Sequence, residues 1–336
     1  MNKACTLPLI AILLSSCSFS LSPKSETEEP SSPSSETSSE APIESSESEE
    51  ITTSESEPVE TSESSEEEES SVTTSSSETI EDEDFLPSED YELTWSDEFD
   101  GETLNTRIWT HEIGNGNWGW GNGEAEYYTA KNDRIEDGML HITAKREEAP
   151  DGFQYTSTRI ITKNKVHFTY GYMCARISLP AVTGLWPAFW MLPETGYGSE
   201  GTTWWPTSGE IDIMENRGRV SDTTSGALHY ASNGTGGNHT YISAETKVGS
   251  IEDFHVYAVE WLEGEMIWSV DGKEFLRTGQ NIWNRGYGTG DDAPFNKDFF
   301  FILNLAIGGQ FDGNKEPPVN WESSDMIIDY VRCYQK

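Results

Sequence analysis

The chain has 336 residues and a formal net charge of −39 at pH 7. The charge is uneven, because residues 21–90 hold 24 Asp/Glu and one Lys, whereas all 12 Trp lie beyond residue 90. A hydrophobic core can therefore form only in residues 91–336, a length that suits one large domain. Phosphate binding needs clustered Lys and Arg, so this acidic balance argues against nucleic acid as a partner.

The first residues are typical of a secretory targeting segment. Lys3 precedes an apolar run from Leu7 to Leu14, which is too short to span a bilayer as a helix. The run ends in Leu14-Ser15-Ser16-Cys17, which resembles the bacterial lipoprotein signal. The resemblance implies a signal peptide over residues 1–16 and a lipid on Cys17, which would be the only membrane contact. Such a protein would be secreted and held at the bacterial cell surface or outer membrane. The alternative is an ordinary cleaved signal with an incidental cysteine.

Residues 17–90 are predicted to form a disordered linker. Ser, Glu, Thr and Pro dominate this stretch, so it cannot bury enough apolar surface to offset the entropy lost on ordering. A flexible chain of this length spans roughly 45 Å, and its like charges extend it further. We interpret the segment as a tether for the domain that follows. The alternative is a tail that serves solubility alone.

Residues 91–336 are predicted to form a single all-β domain. Short alternating segments follow one another with Gly, Asn and Asp between them, and no helical periodicity exceeds a turn or two. Five such segments are Met139–Lys145, Gly171–Ile177, Phe254–Trp261, Met266–Val270 and Phe299–Leu305. Asp271-Gly272 is typical of a tight hairpin turn. Many short strands at this spacing indicate a sandwich or a barrel.

Three acidic residues, Glu210, Asp212 and Glu215, interrupt an apolar stretch. Side chains two apart on a strand share a face, so Glu210 and Asp212 point the same way and Glu215 points to the other face. Glu215 joins the acidic face only if one extra residue, Ile213 or Met214, is absorbed in a β-bulge. Bulges are common beside active sites.

Three carboxylates on one face of a buried strand are costly unless they are used or neutralised. Hydrolysis of a glycosidic bond uses two of them, because one attacks the anomeric carbon and another protonates the leaving oxygen. In retaining enzymes the two groups lie about 5–5.5 Å apart, and a third carboxylate between them would separate their pKa values. The alternative is a calcium site or a solvated edge strand. Calcium loops favour Gly and Asn/Asp rather than Ile and Met.

The heptapeptide Gly209-Glu210-Ile211-Asp212-Ile213-Met214-Glu215 resembles the signature of family 16 of the glycoside hydrolases in its laminarinase-like, bulged form. Further resemblances, in the order the family has them, are Trp95–Phe99, Asn122–Thr129, Gly184–Leu192, Asn304–Gly309 and Asp329–Gln335. The family implies a curved β-jelly roll, a β-sandwich with the cleft on its concave sheet. It also implies Glu210 as the nucleophile, Asp212 as its modulator and Glu215 as the acid/base.

A cleft for sugar rings needs aromatic faces on which the rings stack. The resemblance implies substrate contacts through the rings of Trp186, Trp190 and Trp205 and the polar groups of Arg176, Asn122 and His229. The alternative for each tryptophan is plain core packing, and His229 could be a buried histidine with its bonds satisfied. The other histidines are dispersed and show no zinc spacing.

Two further expectations concern cysteine and calcium. The family usually has Glu where Cys174 stands, which puts a substrate contact in doubt, and often has Val where Cys333 stands. The two cysteines are either a disulfide or two small buried side chains. The resemblance also implies a structural calcium held by Glu98, the Gly138 carbonyl and the Asp329 carboxylate or carbonyl.

The leading hypothesis is retaining endo-hydrolysis of β-1,3-glucan, with mixed β-1,3/1,4-glucan as a further substrate. It requires no cofactor for catalysis, and we expect a monomer. One alternative is hydrolysis of a red-algal galactan, since related enzymes share the carboxylates. Another alternative is a non-catalytic β-glucan-binding surface protein, although relatives of that kind have lost the carboxylates that are present here.

Overall fold

The computed structural model describes residues 85–195, 204–232, 238–283 and 293–336. The predicted signal peptide over residues 1–16, Cys17 and the linker up to residue 84 lie outside the described residues. In the described part of the chain, no helix is long and apolar enough to cross a membrane.

The described residues form an all-β domain with one short α-helix. The five predicted strands are confirmed, with ends that differ by at most two residues. The elements are β1 (Glu92–Asp97), β2 (Thr110–His111), β3 (Tyr127–Tyr128), β4 (Asp133–Glu136), β5 (Met139–Arg146), β6 (Tyr155–Ser157), β7 (Arg159–Ile161), β8 (Gly171–Ser178), β9 (Leu185–Pro193), β10 (Glu210–Glu215), β11 (Thr223–Ala231), β12 (His239–Lys247), β13 (His255–Leu262), β14 (Glu265–Val270), β15 (Lys273–Gly279), α1 (Gln280–Trp283), β16 (Phe299–Ile307) and β17 (Ser323–Gln335).

The strands form two sheets. The ten-stranded sheet has the order β15-β14-β13-β8-β17-β5-β6-β3, with β1 beside β17 and β4 beside β5. The seven-stranded sheet has the order β12-β11-β10-β9-β16-β7-β2. β10 therefore lies inside the seven-stranded sheet, between β9 and β11, and both its edges are paired.

The predicted hairpin turn is also confirmed. Asp271 and Gly272 join β14 to β15 and have positive φ angles of 49° and 69°. Two positive φ angles in a two-residue loop are what the twist of a hairpin favours, and Gly adopts the second without a Cβ penalty.

The core lies between the two sheets. Alternate residues of β8, namely Met173, Ala175 and Ile177, belong to it, as do Trp261 of β13 and Trp268 of β14. Fully burying a large apolar side chain contributes roughly 1.5–3 kcal/mol, so these aromatic and aliphatic layers hold the sheets together. The intervening residues of β8 consequently face away from the core.

A second apolar cluster covers the outer face of the ten-stranded sheet. It contains Tyr172, Cys174 and Tyr334, and the side chains of Phe85 and Leu86 pack against it. Phe85 and Leu86 fall within the predicted linker, yet they cover apolar surface that water would otherwise contact. The packed part of the chain therefore includes Phe85 and Leu86, which precede the predicted boundary at residue 91.

Cys174 and Cys333 lie on opposite faces of this sheet. Cys174 belongs to the outer cluster, whereas Cys333 is paired with Met173 and belongs to the core. A disulfide needs Cβ atoms about 3.5–4.5 Å apart with converging bonds. The two cysteines are not bridged, and each fills a small buried space.

Candidate active site

The strand that carries the carboxylates is bulged where the sequence requires it. Against β11, Asp212 pairs with Ala227 and Glu215 pairs with Ser225, so β10 has one more residue than its neighbour over this stretch. Against β9, the register shifts between Asp212 and Met214. The predicted bulge is confirmed, with Ile213 as the extra residue on the β9 side.

The bulge sorts the side chains of β10 into an acidic and an apolar face. Glu210, Asp212 and Glu215 line one cleft on the outer face of the seven-stranded sheet. The three apolar residues between them, Ile211, Ile213 and Met214, are at most 1% exposed and belong to the core. Burial of these apolar side chains thus stabilises the irregular backbone that brings Glu215 to the acidic face.

Contacts from the opposite sheet and from β11 stabilise the bulge. Trp268 reaches across the core, and its Nε1–H donates to the Asp212 carbonyl oxygen at 2.9 Å. Gly226 leaves room for this indole, since a Cβ there would lie 2.6 Å from Trp268 Cδ1. The hydroxyls of Thr224 and Ser225 donate to the Glu215 carbonyl oxygen at 3.2 and 3.1 Å.

The environment of the three carboxylates favours their protonated forms. Burial raises the pKa of Glu210, Asp212 and Glu215 to about 8 in each case. The charge of Asp212 raises the pKa of both glutamates further, and His229 opposes it. Because the groups interact, their protons leave in sequence, so one carboxylate can be ionised while another still carries a proton.

Two ring nitrogens contact the carboxylates directly. Trp186 Nε1–H donates to Glu215 Oε1 at 3.0 Å, which orients that carboxyl group in the cleft. His229 Nε2 lies 3.1 Å from Asp212 Oδ2, and His229 Nδ1 lies 2.8 Å from Nε2 of His239. The structure thus places His229 in the cleft beside Asp212, and its contact with substrate stays a prediction.

The cleft has a volume of about 970 Å³ and is floored by indole rings. All three predicted tryptophans line it, together with Asn122. Trp190 donates from Nε1 to Asn304 Oδ1 at 2.7 Å, and Trp186 stacks on Phe311 with ring centroids 5.1 Å apart. Trp205 remains 47% exposed, so its ring is available to a ligand.

The prediction that Arg176 contacts substrate is wrong. Arg176 lies on β8 in the ten-stranded sheet, and its guanidinium donates to Asp329 at 2.6 Å. Neighbouring Met173, Ala175 and Ile177 face the core, so Arg176 and Cys174 face outward, on the sheet that does not carry the cleft. The substitution at Cys174 therefore removes no contact from the cleft.

Several residues that line the cleft were not predicted from the sequence. Arg159 of β7 is 3% exposed, and its guanidinium carbon lies 4.5 Å from the Trp120 ring centroid and 4.8 Å from that of Trp190. His239 and Tyr241 of β12 stack with His229 at centroid distances of 5.0 and 5.3 Å. The sequence does contain a signal for Arg159, because it is a single charged residue beside the apolar pair Ile160-Ile161.

The predicted calcium ligands do not form an acidic cluster. Both oxygens of Glu98 accept from Arg332 at 2.8 Å, and Asp329 accepts from Arg176 at 2.6 Å. Gly138 lies in the turn between β4 and β5 with a φ of 73°. Guanidinium groups thus neutralise both carboxylates in this structure, and a calcium ion held in part by backbone carbonyls stays a prediction.

Elsewhere in the described residues, one group of side chains has metal-ligand spacing. Ligand atoms of Glu210, Asp212 and His229 lie within 4.8 Å of one another. Asp212 and His229 already contact each other, so we assign the trio to the chemistry of the cleft rather than to an ion.

Two packed sheets, paired glutamates on one strand face and a floor of indole rings together define a glycoside hydrolase that works through carboxylates. Residues 117–291 match the family described as "Glycosyl hydrolases family 16", and the chain belongs to that family. The predicted family and the predicted jelly-roll fold are thereby confirmed.

The chain is similar to enzymes that act on β-glucans. It is 38% identical over 265 residues to glucan endo-1,3-beta-glucosidase A1 of Niallia circulans, covering 73% of this chain but 38% of that relative. It is 36% identical over 255 residues to a beta-glucanase of Rhodothermus marinus, covering 73% of this chain and 85% of the relative. The laminarinase catalytic domain of Thermotoga maritima superposes with a TM-score of 0.65 at 37% identity, over 74% of this chain and 99% of that domain.

Proposed function

We propose that the protein cleaves β-1,3-glucan at internal linkages with retention of configuration, and that it also accepts mixed β-1,3/1,4-glucan. The observation that carries the proposal is the bulge in β10, which turns Glu210, Asp212 and Glu215 into one aromatic-lined cleft. The names of the relatives, a glucan endo-1,3-beta-glucosidase and a beta-glucanase, support the substrate class.

The reaction proceeds in two displacements. In the first, the carboxylate of Glu210 attacks the anomeric carbon, and Glu215 gives its proton to the departing glycosidic oxygen. In the second, Glu215 takes a proton from water, and the resulting hydroxide displaces Glu210 from the glycosyl ester. Each carboxyl group ends in the protonation state in which it began.

The surroundings of the two glutamates suit these roles. Glu215 must hold a proton at the pH of the reaction, and burial together with the charge of Asp212 raises its pKa to about 8. Glu210 must be ionised. Burial and the charge of Asp212 raise its pKa to about 8 as well, while His229 and Arg159 lower it. Because the carboxylates interact, one of them can ionise while another keeps its proton. Asp212, between them in the chain, separates the two ionisations and is held by His229.

The length of the cleft supports attack within a polymer. Its lining runs from Tyr241 on β12 to Arg159 on β7, which are five strand spacings apart in the sheet. At about 4.8 Å per spacing the floor spans roughly 24 Å, which accommodates several sugar rings. Exposed aromatic rings at the β12 end, those of Trp205 and Tyr241, suit stacking on a sugar chain.

The test uses laminarin, lichenan and agarose with the wild-type protein. We expect viscosity to fall early relative to reducing-end release on the first two, and nuclear magnetic resonance to detect the β-anomer as the first product. Cleavage of agarose alone would indicate a galactan hydrolase, and binding without new reducing ends would indicate a glucan-binding protein.

The catalytic assignment is tested by Glu210→Gln and Glu215→Gln. Each should lose nearly all hydrolysis, since a general acid or a nucleophile contributes at least ~10²–10⁴-fold, while thermal unfolding stays cooperative. Retention of more than a few per cent of the wild-type kcat by either variant would contradict the assignment.

We also propose that the chain is a secreted monomer held at the bacterial cell surface or outer membrane by lipid on Cys17. The apolar run Leu7–Leu14 directly before Leu14-Ser15-Ser16-Cys17 supports this. Growth with an alkyne-labelled fatty acid should label the wild type and leave Cys17→Ala unlabelled. Label on the Cys17→Ala variant, or none on the wild type, would contradict the anchor, and sedimentation of the detergent-solubilised protein tests the monomer.

A further inference from the structure

Two glutamates outside the catalytic trio lie beneath the cleft, at the end of β16. Ala125 N donates to the Ile307 carbonyl oxygen at 2.8 Å, and Glu124 forms an isolated bridge with Gly308, so this segment is extended along β16. In extended chain, residues two apart share a face. Glu124 and Glu126 therefore point the same way, and they are 6% and 0% exposed.

Glu124 lines the cleft, and both its oxygens act as acceptors. Oε1 accepts from Asn122 Nδ2 at 3.0 Å, and Oε2 accepts from the hydroxyl of Tyr128 at 3.0 Å. A carboxylate offers about four lone-pair positions, so two donors leave Glu124 able to accept more hydrogen bonds.

A chain of hydrogen bonds of one polarity connects the cleft floor to Glu124. Trp190 Nε1–H donates to Asn304 Oδ1 at 2.7 Å, and Asn304 Nδ2 donates to the Tyr128 oxygen at 3.1 Å. The Tyr128 hydroxyl must then donate its own hydrogen bond to Glu124. Every donor points toward Glu124, so this network needs an acceptor-only group at its end, which is what a carboxylate is.

Glu126 has a different environment. Its Oε2 accepts from the amide of Ile307 at 2.5 Å, whereas its Oε1 accepts no hydrogen bond from any described residue. Burial, reinforced by the charge of Glu124, raises the pKa of Glu126 well above its ordinary value. A bare carboxylate oxygen beside a second carboxylate would be costly, whereas a carboxylic acid places a hydroxyl there that can donate to Glu124.

We infer that Glu124 is a specificity-determining residue that accepts a sugar hydroxyl at this end of the cleft, and that Glu126 is a buried neutral acid that positions it. The inference rests on the proposed function, because it takes the hydroxyl groups of a glucan as the ligand. A neutral polysaccharide carries hydroxyl donors in pairs on adjacent ring carbons. Asn122 and Tyr128 fix the carboxylate of Glu124, so its remaining acceptor positions face such hydroxyls in one orientation.

The first test replaces Glu124 by Gln, which cannot accept from both Asn122 and Tyr128 because one of its oxygens becomes an amide donor. We expect KM for laminarin to rise roughly tenfold or more with kcat within about threefold, since a bond made equally in ground and transition states affects KM alone. An unchanged KM would overturn the inference. If Glu124→Gln does not fold, Tyr128→Phe removes one donor to Glu124, and KM should again rise.

The second test concerns the proton on Glu126. Glu126→Ala should raise KM in the same direction, and Glu126→Gln should restore most of the loss, because a primary amide supplies both the acceptor for Ile307 and a donor toward Glu124. An infrared difference spectrum, wild type minus Glu126→Gln, should contain the carbonyl band of a protonated carboxyl group. Absence of that band, or a Gln variant no better than Ala, would overturn the role of Glu126.

Glu316→Gln is the matched control, because Glu316 also accepts from a tyrosine hydroxyl, that of Tyr155 at 2.9 Å, and does not line the cleft. We expect its KM to equal that of the wild type. An inactive wild type would count against the proposed function, whereas an active wild type with an unchanged KM in Glu124→Gln would count against this inference alone.

Discussion

The hydrogen bond from Trp268 to the Asp212 carbonyl offers a direct test of how the catalytic bulge is maintained. Trp268→Phe deletes the Nε1–H and leaves a carbonyl oxygen at the bulge without this donor. Leaving a buried polar group unpaired costs about 1–3 kcal/mol, apart from the loss of apolar contacts that any Trp→Phe change brings.

The control is Trp261→Phe on the neighbouring strand β13. Both tryptophans are 0% exposed in the same core, but Nε1 of Trp261 has no hydrogen-bond partner among the described residues. The two variants lose similar volume, so the difference between their free energies of unfolding isolates the bond to Asp212. We expect Trp268→Phe to be less stable than Trp261→Phe by on the order of 1–3 kcal/mol in urea unfolding.

Activity should separate the two variants further. A catalytic group displaced by about 1 Å costs roughly 10²-fold in rate, so kcat on laminarin should fall at least tenfold in Trp268→Phe and stay near wild type in Trp261→Phe. Equal losses of stability and equal kcat values in the two variants would refute the view that this bond holds the bulge.

Three further outcomes are expected. The alkaline limb of kcat/KM is expected near pH 8, because burial raises the pKa of Glu215 to about 8. Asp212→Asn should move this limb to lower pH, since the charge of Asp212 raises the pKa of Glu215 and the variant lacks it. A move to higher pH would contradict this. Dithiothreitol should leave the melting temperature unchanged, as Cys174 and Cys333 lie on opposite faces of a sheet, and a lower value would reveal a disulfide. Phe85→Ala should lower the free energy of unfolding by about 1–3 kcal/mol in urea, less than a fully buried Phe, and leave kcat unchanged.

The acidic face of β10 was predictable because it follows from local geometry alone. A strand alternates with a period of two, and Glu215 is five residues from Glu210, so one extra residue is the least change that brings them together. The apolar residues Ile211, Ile213 and Met214 then have only the core to occupy. The spacing of the acidic residues and the burial of the apolar ones therefore both predict a bulge between Asp212 and Glu215, and the structure has it.

The position of Arg176 could not be predicted from local sequence patterns. The strand containing it and its alternation were both predicted correctly, yet the side chain lies on the sheet that does not carry the cleft. Which sheet a strand joins depends on partners distant in sequence, and β8 pairs with β13 and β17. Nothing within Gly171–Ile177 encodes that choice. The same limit explains why Arg159 was missed, since its partner Glu112 is 47 residues away.

Variants of the neighbouring arginines can show which glutamate is the acid and which is the nucleophile, without replacing either glutamate. Arg159 lowers the pKa of Glu210, whereas Arg217 lowers that of Glu215, so each cation acts on one end of the carboxylate row. Removing a positive charge raises the pKa of the carboxyl it faces. Arg159→Gln should therefore move the acidic limb of kcat/KM to higher pH, because the nucleophile must ionise. Arg217→Gln should move the alkaline limb to higher pH, because the acid must keep its proton, and Arg217→Lys should leave that limb in place. If the limbs respond in the opposite order, Glu210 is the acid and Glu215 the nucleophile.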